Sequence, residues 1–123
     1  MKLEKTGVRA SNYSVWHRLL GPEYFAVDVD FVEYRANRGI VALLAVTGEC
    51  NDEFHILNSK KYIWARTELE RKILAELSAK LGVSAYYVIH TRDLSLFHVH
   101  NLADLGIFQV MGSQKYAKFI KDL

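Results

Sequence analysis

The run from Ile40 to Val46, Ile-Val-Ala-Leu-Leu-Ala-Val, carries no polar side chain on either face. A strand apolar on both faces must be covered on both, so it belongs in the middle of a sheet with helices packed against it. The segment before it alternates instead: Phe25, Val27, Val29 and Phe31 point one way, and Ala26, Asp28 and Asp30 the other. Between the two, Ala36-Asn37-Arg38-Gly39 is turn chemistry. The expectation is a hairpin whose second strand is central. A turn centred at Asn37 and Arg38 sets Asp30 opposite Ala45 and Asp28 opposite Thr47.

The rest of the chain supplies the covering elements. Asn12 to Leu20 suits a short helix with Val15, Trp16, Leu19 and Leu20 on one side, stopped by Gly21-Pro22. Cys50 to Lys61 reads as a polar loop. Thr67-Glu68-Leu69-Glu70 fits a capping box, with Leu69, Ile73, Leu74, Leu77 and Leu81 on one stripe and Gly82 at the left-handed cap. Ser84–His90 and Leu94–His100 read as strands joined by Thr91-Arg92-Asp93. A last helix runs from Ser113 to Leu123 with Tyr116, Phe119, Ile120 and Leu123 on one side. The expected fold is α/β, with a central mixed sheet of about four strands flanked by helices.

At 123 residues, half of them hydrophobic, this is one domain spanning 1–123, with a loose N-terminal segment over residues 1–11. A formal charge of +2 neither announces nor excludes a nucleic-acid partner, because a local patch binds phosphate on a nearly neutral protein. One cysteine, Cys50, makes no internal disulfide, and no stretch has a membrane-spanning or signal-peptide pattern. A soluble, cytoplasmic protein with no membrane partner is expected. There is no glycine-rich phosphate loop and no Gly-x-Ser-x-Gly elbow.

Two carboxylates on one face of an apolar strand, Asp28 and Asp30, are the strongest chemical signal, because burying unpaired charge is costly. The plain alternative is an edge strand with a solvated face. Three histidines form a second pattern. His98 and His100 alternate onto one face, and His90 on the hairpin partner is assigned to the same face. Converging imidazoles can hold zinc, but solvent-facing strand histidines explain the spacing more simply.

The run Trp16-His17-Arg18-Leu19-Leu20-Gly21-Pro22, the Asp28-Val29-Asp30 strand and the hairpin into Ile40–Thr47 resemble the PD-(D/E)xK, or restriction-endonuclease-like, nuclease superfamily. The resemblance covers Tyr13 to Leu102. It implies a restriction-endonuclease-like core, DNA as partner, Mg2+ or Mn2+ as cofactor, and metal-dependent phosphodiester hydrolysis. Asp30 matches the first metal-binding Asp, with Asp28 its companion. The family's Glu-x-Lys positions hold Ala45 and Thr47, which offer neither a carboxylate nor an ammonium. The hydrolase motif is therefore incomplete, with Glu49 the nearest replacement carboxylate along the strand. In the same reading His17, Arg18, Lys60 and Lys61 contact nucleic acid, with Arg66, Tyr62 and Trp64 adding to that surface. A homodimer suits a two-stranded substrate. The alternative is a non-enzymatic interaction or assembly module that keeps the nuclease fold.

Overall fold

The computed structural model describes residues 11–123; residues 1–10, and with them nearly all of the expected loose segment, lie outside the described residues. Helix α1 (Ser11–Arg18) ends before Gly21, whose φ of +121° only glycine adopts easily. Strands β1 (Phe31–Arg35) and β2 (Gly39–Cys50) form the expected hairpin. Two consecutive helices follow, α2 (Glu53–Arg66) and α3 (Glu68–Leu81). Then come β3 (Ser84–Thr91), β4 (Leu96–Asn101), β5 (Asp104–Gly112) and α4 (Ser113–Lys121). The five strands lie in the order β1-β2-β3-β4-β5, with β2 and β3 parallel and every other pair antiparallel. The α/β class and mixed sheet are as expected; the sheet has five strands rather than about four.

The apolar run in β2 takes the central position that its two-faced hydrophobicity demands. Ala42, Leu43 and Leu44 are buried, and α2 and α3 cover one face of the sheet while α4 covers the other. On the first face Ile56 and Ile63 of α2 pack on Tyr87 and Ile89, and Leu74 of α3 packs on Leu43 and Ala85. On the second, Tyr116 and Phe119 of α4 pack on Val88, Phe97, Val99 and Met111, with the Tyr116 and Phe97 rings stacked at 4.0 Å. Burial pushes the Tyr116 hydroxyl up to about 12, with the nearby Glu33 carboxylate adding to the effect. Arg35 donates to the Ile120 carbonyl at 2.5 Å and Arg38 to that of Leu123, tying the hairpin to the carbonyl end of α4.

Several local expectations are corrected. The region expected as a polar loop, Cys50–Lys61, is mostly helix: Asp52 is the N-cap of α2, its carboxylate accepting from the His55 amide at 2.8 Å. Thr67 does not form a capping box. Its amide and its hydroxyl both donate to the Ile63 carbonyl, so it closes α2 rather than opening α3 with its side chain. The α3 stripe is buried at Leu74 and half-buried at Ile73 and Leu77, while Leu69 and Leu81 are exposed. Gly82 does adopt the left-handed cap, at φ 69°.

Candidate functional site

The β1–β2 pairing ends with Phe31 and Leu44, and Asp30 and Ala45, the next residue on each side, line one small cleft. Asp30 Oδ2 accepts from the Val46 amide at 2.9 Å. Asp28 and Asp30 are not in a strand, however. β1 begins at Phe31, and Val27 to Asp30 leave the sheet to lie along α3, where Val29 joins the Leu43–Leu74 cluster. The two carboxylates and Ala45 line one small cleft, together with Glu70 of α3. Glu70 reaches this cleft because the helix places it one turn before Leu74, on the side that meets the sheet. Its position after Thr67 reads as a capping residue in the sequence, which hides this placement.

Thr47 shares the face. Its hydroxyl is held by the Tyr87 hydroxyl at 2.6 Å, and burial raises the Tyr87 pKa while bonds to Thr47 and Thr67 oppose the rise. Glu49 lies apart: it lines a different cavity from the one shared by Asp28 and Asp30. Thr47 and Glu49 line that other cavity together, where the β2–β3 register shifts between Thr47 and Cys50.

The donor set does not fit a divalent metal. The cleft beside Ala45 has a volume of about 20 Å3, and among the described residues no three His, Cys, Asp or Glu side chains are grouped to hold an ion.

The nucleic-acid candidates are scattered. Arg18 and Lys61 are exposed, and His17 is half-buried at the end of α1. Lys60 turns inward. Its Nζ sits 3.5 Å above the Phe108 ring with no hydrogen-bond partner among the described residues, and burial lowers its pKa against the opposing pull of Glu53. Trp64 also packs inward, edge-on to Tyr87 and His100, whereas Tyr62 is exposed with the Arg66 guanidinium 5.4 Å from its ring.

The histidines do not converge. His90 pairs with Phe97 and His98 with Ile89, which puts His90 on the α4 face and His98 and His100 on the α2 face. Nor do the last two face solvent: His98 and His100 are 1% and 2% exposed. His98 Nε2 meets Glu53 Oε2 at 3.2 Å, and His100 Nδ1 donates to the Leu105 carbonyl at 2.7 Å. The Phe108 ring stacks on both imidazoles. Burial holds His100 down at about 4 and lowers His98 as well, with the Lys60 charge adding to both shifts. They are neutral structural groups at neutral pH.

A cavity of about 280 Å3 lies at the end of β2, between that strand and α2. His55, Ser59, Tyr62 and Arg66 of α2 line it. Their spacing is i, i+4, i+7, i+11, one face of a helix. That periodicity is legible in the sequence once 53–66 is read as helix. Comparison with family models, with curated proteins and with solved structures gives no significant match to this chain.

Proposed function

We propose that this chain is a nuclease-like, intracellular DNA-binding domain whose hydrolytic site is incomplete as written. One observation carries the reading: Asp30, just before β1, and Ala45 of β2 line one cleft, with Asp28 beside them. In the PD-(D/E)xK reading Asp30 stands for the metal-binding Asp and Ala45 for the Glu. The Lys position is Thr47, whose hydroxyl is engaged by Tyr87. With neither a second carboxylate across the hairpin nor an ammonium beside it, binding remains and hydrolysis is lost. Exposed Arg18 and Lys61 supply phosphate contacts, which position a backbone without reading sequence.

The test is duplex DNA binding at low and raised salt, with Mn2+ present and cleavage monitored in the same samples. Affinity should fall steeply with salt, Arg18→Gln with Lys61→Gln should weaken it, and the DNA should stay intact. Absence of binding at low salt overturns the reading. A second reading, a non-enzymatic interaction module, is favoured by one feature: Val15, Trp16, Leu19 and Leu20 of the α1 region are exposed side by side.

A further inference from the structure

The 280 Å3 cavity sits at the carboxyl ends of β2 and β3, the one parallel pair in the sheet. In open α/β sheets this is where strand ends and following loops leave a crevice for ligands. A β-bulge between Thr47 and Cys50 bends β2 at the cavity wall, and Arg92, the first residue after β3, closes another side. At 280 Å3 the space matches the low end of small-molecule sites, about 300 Å3. It suits a group of roughly one nucleotide.

The lining is rich in donors. Among the described residues no carboxylate forms an ion pair with Arg66 or Arg92. Arg92 uses Nε to donate to the Glu49 carbonyl at 2.9 Å, which fixes the guanidinium and leaves its terminal nitrogens for a ligand. His55 Nδ1 accepts from the Asn51 amide at 3.0 Å, so a neutral ring carries its hydrogen on Nε2 and is a second donor. Ser59 adds a hydroxyl. Tyr62, 67% exposed, presents an aromatic face at the rim on which a base can stack. One acid, Glu49, opposes an anion here.

We infer that this cavity is a phosphate site that takes the phosphorylated terminal nucleotide of a nucleic-acid strand, held by Arg66, Arg92 and His55 with Tyr62 against the base. A guanidinium binds phosphate oxygens by charge-assisted, bidentate hydrogen bonds, and two of them line this cavity. The inference deepens the DNA-binding reading and rests on it for the source of the phosphate, while the cavity's donors stand independently of the Asp28–Asp30 cleft.

Fluorescence anisotropy with a short single-stranded oligonucleotide, with and without a terminal phosphate, tests it on the full chain, with inorganic phosphate as a separate arm read by thermal shift. The phosphorylated strand should bind at least about tenfold more tightly than the unphosphorylated one. Arg66→Gln with Arg92→Gln should abolish that difference. Glu49→Gln, which removes the opposing charge, should widen it, an outcome that misfolding cannot produce. If the terminal phosphate makes no difference while both strands bind, the cavity assignment is wrong and the DNA-binding reading stands. If inorganic phosphate raises the melting temperature of the parent but not of the double variant, and no strand binds, the phosphate site stands and the nucleic-acid source is refuted. If neither phosphate nor strand binds, both are wrong.

Discussion

Lowering the pH from 7.5 to 5 should destabilise this protein through His100. Its imidazole is buried beneath α2, beside Lys60 and stacked on Phe108, with Nδ1 donating to the Leu105 carbonyl. Burial strips a protonated ring of its water there, and the Lys60 ammonium repels the added charge as well. The folded-state pKa is therefore held at about 4 against an ordinary 6.5. A histidine with a depressed folded pKa binds fewer protons folded than unfolded between those two values. Its contribution to stability is thus complete above 6.5 and falls as pH drops toward 4. Over the interval from pH 7.5 to 5 the loss from His100 alone is about 2 kcal/mol, and His98, shifted in the same direction, adds to it. Glu53, paired with His98, moderates the effect without reversing it. Urea denaturation at pH 7.5, 6 and 5 reads the loss directly, and carboxylates contribute little before pH 5. In His100→Leu the same pH interval should cost markedly less, whatever the variant's absolute stability. Equal midpoints at pH 7.5 and 5 in the parent, or an undiminished loss in His100→Leu, refutes the argument.

Gly48 lies under the His90 ring, and a Cβ there would sit 2.1 Å from His90 Cε1, so the ring must leave its bond to the Thr91 carbonyl. Gly48→Ala should cost about 1–3 kcal/mol in thermal unfolding, most of it recovered in the His90→Ala background. Leu74→Ala should cost about 2–5 kcal/mol, because the side chain is enclosed against Leu43 and Ala85, whereas Leu69→Ala on the same helix should cost well under 1 kcal/mol. Denaturant midpoints of the two variants separate these cases, and equal costs would mean that the α3 stripe is misassigned. Asp52→Ala should remove about 1 kcal/mol by leaving the His55 amide unpaired, seen as a lower melting temperature.

The hairpin was legible because its determinants are local. The pairing beside the turn, Arg35 with Gly39, is centred on Asn37, and an irregularity between Glu33 and Tyr34 brings in the expected register from Glu33 with Ala42 to Phe31 with Leu44. What failed was extension of β1 back to Phe25: among the described residues the strand pairing stops at Phe31, and α3 offers Val29 a better contact than solvent does. Helix α2 was hidden because Asn51, Asp52, Asn58 and Ser59 are turn formers by type. Asp52 spends that tendency on a cap, and Asn58 donates to the Phe54 carbonyl within the helix. Its apolar residues also give no clean stripe, since Phe54, Leu57 and Tyr62 are exposed and Ile56 and Ile63 are buried. The histidine error has one cause, a register difference of one residue between β3 and β4, which moves His90 to the other face. Asp28, Asp30, Ala45 and Thr47 share one side of the sheet, but Glu70 entered that cleft from a helix, and no strand pattern reveals such a contact.

In the proposed nuclease-like reading, hydrolysis fails for want of a carboxylate at position 45 and an ammonium at position 47. Nicking of supercoiled plasmid in Mn2+ tests it most directly, comparing the parent with Ala45→Glu/Thr47→Lys and with Asp30→Asn in both backgrounds. The parent should not nick. The double variant should nick measurably, because a carboxylate at position 45 then shares the cleft with Asp30, and Asp30→Asn should abolish that activity. A parent that nicks as fast as the double variant, with Asp30→Asn without effect, contradicts the claim, and so does a folded double variant that leaves the plasmid intact.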